Sequence, residues 1–429
     1  MPPKDRMPCR PPRAGLVLFF PEFSRVLVSR VMFPLSLVLF EFAVYVSNDM
    51  IMPGMPNVLR EFGAAPEMTS LALTAAMLGN ASLQWLLGPL SDRYGRRPVL
   101  LAGLILFVAA CLAMWPVQSI GQFIMLRFIQ GMGCCFVLTV GYPTVQEAFD
   151  EKTAVRIVAL MANVSLLSPL FGPLAGAAVV TWWPWRVVFL LIAAIGVIAF
   201  VGLYRSMPEL MPAVRGELTP RGLWRAYRVP LASRRFWTGA VMIGLAVTPL
   251  LTWIAVGPIV LIERAGLSQI DYGVLQLPVF AALIAGNVIL ARQVGRWSYA
   301  RLMWSGIACM LFGAAVSCAG VALLASSYLA LMAGTAFCAL GMGLFYGVVY
   351  RQTLFAVDGA NRATVAGMLS MIMIIVSVGA IELAKSAYLV FGAQALSLSA
   401  LLAVLCLGAA ALSFKSSSES EAFAVKPGG

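Results

Sequence analysis

Pro34-Leu-Ser-Leu-Val-Leu-Phe-Glu41-Phe-Ala-Val-Tyr45-Val-Ser-Asn48-Asp49-Met-Ile-Met52-Pro53-Gly54-Met-Pro-Asn-Val58 decides how the rest of the chain is read. The run is long and apolar enough to cross a bilayer, yet it carries two carboxylic acids. An acid at mid-membrane costs about 2.5 to 3.5 kcal/mol even on the lenient insertion scale, so two in one span point to function. Eight residues separate Glu41 from Asp49, which on an ideal helix sets them about 80° apart around the axis and ~12 Å along it. Both acids can therefore face one cavity at two depths. The Met52-Pro53-Gly54 stretch that follows is where the helix is expected to loosen.

The same hydropathy continues along the chain. Of 429 residues, 61% are hydrophobic and only 11% charged, well beyond the roughly 45 to 50% apolar content of soluble domains. Windows of about 20 apolar residues fall at 32–53, 69–90, 98–116, 120–142, 156–180, 186–205, 236–262, 272–293, 301–321, 328–350, 364–388 and 394–414. The expectation is an all-α membrane protein with twelve transmembrane helices. Lipid leaves no partner for the backbone of an irregular stretch, and no alternating ten-residue pattern suggests a barrel.

A net charge of +12 would raise the question of nucleic acid in a soluble protein, but here the basic residues sit in short loops and set topology. Of the 30 Lys and Arg, only Arg60, Arg186 and Arg264 fall in one set of loops, and Arg127 and Lys385 lie inside spans. The others occupy the alternate set and both ends, so both termini are expected in the cytoplasm. The N-terminal MPPKDRMPCRPPRAGLVLFFPEFSRVLVSR has too short an apolar patch and no small-residue cleavage site, so it reads as a cytoplasmic tail and not as a signal peptide.

The basic, proline-containing break at 206–235 divides six spans from six. The expected organisation is a tail at 1–30, a six-helix bundle at 31–205, a cytoplasmic linker at 206–235, a second six-helix bundle at 236–414 and a tail at 415–429. An amphipathic piece of the linker is expected to lie on the anionic leaflet. The loop Gly88–Pro98, GPLSDRYGRRP, has a weak echo in Ala291–Arg301, ARQVGRWSYAR. Two halves with a site between them is a transporter layout.

Histidine is absent, which excludes Ser-His-Asp and Cys-His catalysis and histidine metal sites and leaves carboxylates to carry protons. The eight cysteines show no C-x-x-C spacing, and all but Cys9 lie in apolar stretches, as small packing residues do. No cofactor, metal or nucleic-acid partner is expected. With no large soluble domain or nucleotide fingerprint, an enzyme or sensor is disfavoured against a transporter.

Three motifs carry the finer reading. In Gly88-Pro-Leu-Ser-Asp92-Arg93-Tyr-Gly95-Arg96-Arg97, the acid at a helix end and the arginines around a tight turn can latch one side of the bundle, or form a simple positive loop. Ile124-Met-Leu-Arg127-Phe-Ile-Gln-Gly-Met-Gly133 places a guanidinium inside a span, where it must find acceptors. Ser168-Pro-Leu-Phe-Gly172-Pro173-Leu-Ala-Gly176-Ala177 is a string of small residues suited to close helix approach. Together they resemble the major facilitator superfamily: its G-x-L-a-D-r-x-G-r-k loop, its fourth-helix arginine motif and its fifth-helix antiporter motif, the last with Ser168 and Ala177 in place of two glycines.

From about Phe33 to Phe414 the chain more narrowly resembles the multidrug/proton antiporter branch of that superfamily. The residues behind this are LVLFEFAVYVSNDMIMPGM (Leu37–Met55), LQWLLGPLSDRYGRRPV (Leu83–Val99), LRFIQG, VGYPTVQEAF, LMANV, PLLTWIA (Pro249–Ala255) and LIAGNVILAR. The resemblance implies a proton-coupled multidrug exporter of the bacterial inner membrane, a monomer working by alternating access. It implies that Glu41, Asp49 and Arg127 couple protons. It also implies a drug pocket of Tyr45, Asn48, Asp49, Tyr142, Met161, Asn163, Leu250, Leu251 and Ile254.

From the residues alone, that pocket is aromatic, thioether and aliphatic with few polar anchors, which suits lipophilic compounds better than a sugar. Arg127 is the expected counter-charge of the acids: either protonation of Asp49 or Glu41 reweights the pairing and so the inward/outward equilibrium, or the pair merely staples the first and fourth helices. Glu382 and Lys385, three apart, are expected to neutralise each other. Glu147 is expected in a solvated loop within reach of Asp92. The competing function is a narrow-substrate proton-coupled transporter of a metabolite.

Overall fold

A computed structural model of the chain describes residues 20–209, 220–294, 296–323, 327–356 and 362–422, with side chains from 31 to 414 apart from several positions, Asn163 among them. The expected tails therefore lie largely outside the described residues, as does the middle of the linker. The helices, in chain order, are α1 (Phe20–Asp49), α2 (Thr69–Tyr94), α3 (Arg96–Ala113), α4 (Ile120–Phe136), α5 (Glu151–Trp182) and α6 (Arg186–Ser206). After a linker helix at Pro220–Ala232 come α7 (Arg234–Pro258), α8 (Gln269–Gln293), α9 (Tyr299–Leu323), α10 (Ser327–Leu354), α11 (Arg362–Phe391) and α12 (Ala393–Ala422).

Each of the twelve predicted windows falls on one of these helices. Eleven are long and apolar enough to cross a membrane. The twelfth, α5, is 32 residues long, and its described apolar stretch is Leu170–Trp182. Leu383, Leu402, Leu412 and Ile198 stand more than half exposed, which would be costly in water and costs nothing against acyl chains. α1 begins at Phe20, inside the segment read from the sequence as an extramembrane tail.

Local breaks follow from local chemistry. α1 stops at Asp49 because Pro53 and Pro56 cannot donate to the ladder; a 3-10 turn at Met52–Gly54 leads into a short helix at Met55–Phe62. Wide π turns at Val137–Gly141 and Ile259–Arg264 extend α4 and α7. The first continues into Tyr142–Ala148, and the extra residue it inserts re-aims every side chain beyond it. Ser119, Asp150, Ser233 and Ser268 cap the starts of α4, α5, α7 and α8 through their side chains.

The core is arranged unequally along the helices. One buried cluster runs through α1 to α6 and takes in Leu250 to Leu261 of α7, Tyr272 to Leu283 of α8, Leu331 and Ala339 of α10, and Ile381 to Tyr388 of α11. These later residues run from the end opposite the Gly88–Arg97 loop to about the middle of their helices. At the loop end, α7, α9, α10, α11 and α12 have a separate core around Phe236, Ile307, Phe345 and Leu369. The two sets of six helices thus share one core at one end and part at the other.

Candidate functional site

Where the helices part lies a cavity of about 520 Å³, lined by Gln84 of α2, Thr139, Tyr142, Gln146 and Glu147 of the α4 extension, Tyr350 of α10, and Gly367 and Ser370 of α11. Tyr142 is the link from this cavity to α1. Its hydroxyl donates to Glu41 Oε1 at 2.9 Å, and Glu41 is fully buried. The π turn just before Tyr142 gives it this aim.

Arg127, also fully buried, lies one stage deeper. Its Nε donates to Ala72 O (3.2 Å), Nη1 to Ser47 O (3.3 Å) and to Gln130 Oε1, and Nη2 to Asn48 Oδ1 (2.9 Å). Gln130 in turn donates to Cys111 Sγ at 3.0 Å. The guanidinium fork therefore ties α1, α2 and α4 together, and Gln130 extends the tie to α3. The direct pair with a carboxylate expected from the sequence is not formed: all four partners are neutral. Asn48, expected in the drug pocket, occupies the side of α1 that faces α4, and Asp49, one residue on, is turned about 100° away. Asp49 still senses the Arg127 charge.

Asp49, 6% exposed, faces α5 instead. A β-carbon on Gly172 would lie 2.9 Å from Asp49 Cβ, and one on Gly176 would collide with the Met50 carbonyl. Ser168 and Ala177 are buried on the same helix. Pro173 O and Leu174 Cα press on the other side against Gly273 of α8. The small-residue string thus seats α5 between the end of α1 and α8, with backbones in contact.

Of the expected pocket residues, Tyr45, Tyr142, Met161, Leu250, Leu251 and Ile254 join one packed cluster with Val44, Val46 and Met50 of α1. Met161, Leu250 and Ile254 are buried, and of this set only Tyr142 lines the 520 Å³ cavity. Tyr45 is bonded to Cys134. The Asn163 side chain lies outside the described residues.

In the Gly88–Arg97 loop, Gly95 has φ of +97°, a conformation that favours glycine. The turn brings Arg96 back to Asp92 (2.9 Å) and across to Glu147 (2.8 Å), with Ser91 Oγ accepting from Arg96 Nη1. Arg97 Nη2 donates to Tyr204 O at 2.6 Å and lies over the Tyr204 ring, while Arg93 lies over Tyr94. Gly88 approaches Thr139 of the α4 extension. These contacts bind α2, α3, the α4 extension and α6 to one another. Glu147 is a member of this cluster and also lines the cavity.

Two ties at the opposite end were not legible in the sequence. Glu61 pairs with Arg186 at 2.7 Å and accepts from Trp185 Nε1 at 2.7 Å, and Arg186 stacks on Trp185. Glu382 and Lys385 form the expected ion pair, and Glu382 Oε1 also accepts from Ser70 Oγ (3.3 Å) and Thr74 Oγ1 (3.1 Å) of α2. An α11 carboxylate thereby joins the first set of helices to the second.

The family model of the Major Facilitator Superfamily matches residues 37–381. Among curated relatives, "Multidrug transporter MdfA" of Yersinia pestis bv. Antiqua (strain Angola) is 48% identical over 358 residues, 83% of this chain and 87% of that one. The protein of the same name from Edwardsiella ictaluri (strain 93-146) is 45% identical over 86% of this chain and 89% of its own, and that of Escherichia coli O6:H1 is 44% identical over 83% and 87%. Among solved structures, a D-xylose-proton symporter aligns with a TM-score of 0.69 at 15% identity, covering 90% of this chain and 97% of its own. An inward-facing bacterial homolog of the lysosomal transporter Spinster aligns at 0.67 and 16% identity, covering 90% and 96%. These two likenesses bear on the fold.

Proposed function

The chain belongs to the major facilitator superfamily, and from that premise we propose that this multi-pass membrane protein exports chemically dissimilar lipophilic drugs, cationic and neutral, in exchange for protons. Its setting is a bacterial inner membrane, with both termini cytoplasmic, so that the 520 Å³ cavity opens toward the cytoplasm. The two sets of six helices work as rocking bundles, and one copy suffices.

The observation that carries this reading is the placement of Glu41: a buried acid on α1 held by Tyr142, a side chain that itself lines the cavity between the bundles. A cation entering the cavity meets a carboxyl group through one hydroxyl. Asp49 stands further along α1, against the Gly172–Gly176 segment and within the field of Arg127. When these acids are ionised they attract a cationic drug; when they hold protons, that attraction is gone. A site that cannot hold both ligands must return with one or the other, and this competition is the coupling. Tyr45, Met161, Leu250, Leu251 and Ile254 supply an adaptable, largely apolar surface with Asn163 as a polar anchor, which extends the reach to neutral compounds.

Arg127 contributes as a fixed positive charge that α1 cannot escape, because Ser47 and Asn48 are both bonded to it. Any change at Asp49 is therefore felt through a rigid segment. The loop with Gly88, Asp92, Arg93, Gly95, Arg96 and Arg97 holds the first bundle together at its cytoplasmic end as the bundles rock, and Gly172, Pro173 and Gly176 form the surface on which α1 and α8 turn.

The test uses inside-out vesicles or proteoliposomes of matched orientation with a fluorescent cationic drug reporter in the external medium. An inside-acid gradient should drive drug uptake, and collapse of the gradient should release it. Uptake driven by the opposite gradient identifies a symporter and sinks the reading. Transport of a single compound out of a chemically varied set identifies a narrow-substrate carrier.

A further inference from the structure

At the same end as the Gly88–Arg97 loop, between the start of α7, the start of α9 and the end of α10, lies a second hollow of about 450 Å³ lined by Arg235, Tyr299, Arg351, Gln352 and Phe355 with two small apolar neighbours. It is a different hollow from the drug cavity, although both borrow from α10: Tyr350 lines the drug cavity, and Arg351 and Gln352 line this one. We propose that this hollow is a binding site for the phosphate headgroup of an anionic phospholipid.

The argument begins with an asymmetry of charge. In the first bundle the loop-end arginines have acids to meet: Arg96 pairs with Asp92 and Glu147. The corresponding stretches of the linker helix and second bundle, 220–235, 291–294, 296–301 and 347–356, hold Arg221, Arg225, Arg228, Arg234, Arg235, Arg292, Arg296, Arg301 and Arg351 and not one Asp or Glu. Among the described residues, Arg351 makes no ion pair; its guanidinium lies over the Phe355 ring at 5.7 Å. Arg235 lies over the Phe414 ring at 5.5 Å. A ring face braces a guanidinium in position and leaves its in-plane donors to point elsewhere. Two braced forks beside a tyrosine hydroxyl and a glutamine amide form a donor-rich recess, and phosphate oxygens match that geometry bidentately.

The membrane supplies this anion in preference to the cytosol. The hollow sits where helices leave the apolar layer, at headgroup depth, and Tyr299 and Phe355 are about half exposed there, as interfacial aromatic residues are. Basic pockets between transmembrane helices on the cytoplasmic side are suited to anionic headgroups, each Lys or Arg adding attraction at the negatively charged leaflet. A cationic drug is repelled by the same pair, so the hollow is not a second drug site. The lipid would bridge the first turn of α7 and the last turn of α10, fixing the loop end of the second bundle where its core is separate.

The placement at the cytoplasmic leaflet rests on the orientation proposed above, but binding is measured without transport, so failure of one is distinguishable from failure of the other. The full chain, purified in mild detergent, is titrated with dioleoyl-phosphatidylglycerol, tetraoleoyl-cardiolipin or dioleoyl-phosphatidylcholine, and bound lipid is counted by native mass spectrometry. Both anionic lipids should bind at one saturable site and phosphatidylcholine should not. R235Q/R351Q should weaken binding by about 20-fold, R235K/R351K, which keeps both charges but not the forks, should fall between that and wild type, and R205Q at the end of α6 should leave it unchanged. An R205Q loss equal to that of the double variant would mean diffuse attraction and overturn the site. Full displacement of lipid by millimolar inorganic phosphate would overturn the assignment to lipid. If the glutamine variant fails to fold, the lysine variant decides: unchanged lipid binding by the folded lysine variant, or its binding of phosphatidylcholine as well as phosphatidylglycerol, also overturns it.

Discussion

Gly172 of α5 lies directly against Asp49 of α1, so that a methyl group on the glycine would stand 2.9 Å from the aspartate's own β-carbon. One turn on, Gly176 faces the Met50 carbonyl more tightly still. The small-residue string thus acts on the acid-bearing helix itself, at the point where α1 breaks. Gly172→Ala meets the β-carbon of a side chain, which can give by a few tenths of an ångström; Gly176→Ala meets backbone, which cannot give without moving α1. Overpacking of this kind costs about 1 to 3 kcal/mol. Thermal denaturation of the purified variants should show a larger loss for Gly176→Ala than for Gly172→Ala, and a Gly176→Ala protein as stable as wild type contradicts the packing.

Arg127 donates to two side chains and two backbone carbonyls on three segments. Lysine keeps the charge but not the planar fork, so Arg127→Lys cannot reach Ala72, Ser47, Asn48 and Gln130 together. Loss of hydrogen bonds made by a charged donor lowers stability by roughly 1.5 to 3 kcal/mol, and Arg127→Ala should fall further because Asn48 and Gln130 both lose their donor. The measurement is melting temperature beside transport rate in the same preparation. Equal damage by lysine and alanine would mean that the fork geometry is irrelevant.

This arginine also marks where sequence reading ends. Twelve apolar windows, the basic loops and the acid pair could be read directly, because each reports on its own helix or on the solvent around it. That Arg127 needs acceptors was equally clear, but not that they would be amide and carbonyl oxygens. A backbone carbonyl is present at every residue, so Ala72 and Ser47 carry no signal of their role. Asn48 is chosen over Asp49 by the rotation of α1 alone. The α2 partners of Glu382 are more remote, lying about three hundred positions away, and only the meeting of α2 with α11 brings them together. The π turn that aims Tyr142 at Glu41 leaves no pattern in Val137–Gly141 that distinguishes it from an ordinary helical turn.

Glu382 provides a prediction about the closed end. Its carboxylate holds Lys385 on its own helix and accepts from Ser70 and Thr74 on α2, beside the shared core that joins the two sets of helices. Glu382→Ala removes the tie and leaves Lys385, which is largely buried, without its anion. Spin labels at Ala65 and Ala265, both exposed at this end, should then report a distance distribution extended to longer separations. Thr74→Val removes one of the two bonds and should give a smaller shift in the same direction. An unchanged distribution in Glu382→Ala would show that packing alone keeps this end shut.

The last prediction separates the acids from their support. Glu41→Gln with Asp49→Asn keeps the size of both side chains and removes both ionisable groups, so a correctly folded double variant should lose proton-linked export of cationic drugs. Tyr142→Phe keeps the ring in the cavity wall and deletes only the hydroxyl that reaches Glu41 at 2.9 Å. A hydrogen bond to an ionised acceptor contributes about 1.5 kcal/mol or more, which corresponds to roughly tenfold in an equilibrium constant. The apparent KM for a cationic drug should therefore rise by about that factor in Tyr142→Phe, while a neutral drug, which has no use for the carboxylate, should be affected far less. Measured side by side in everted vesicles, the two drugs discriminate between charge recognition and simple cavity shape: an equal change for both, or full proton-linked export of the cation by the double acid variant, removes Glu41 and Asp49 from the coupling.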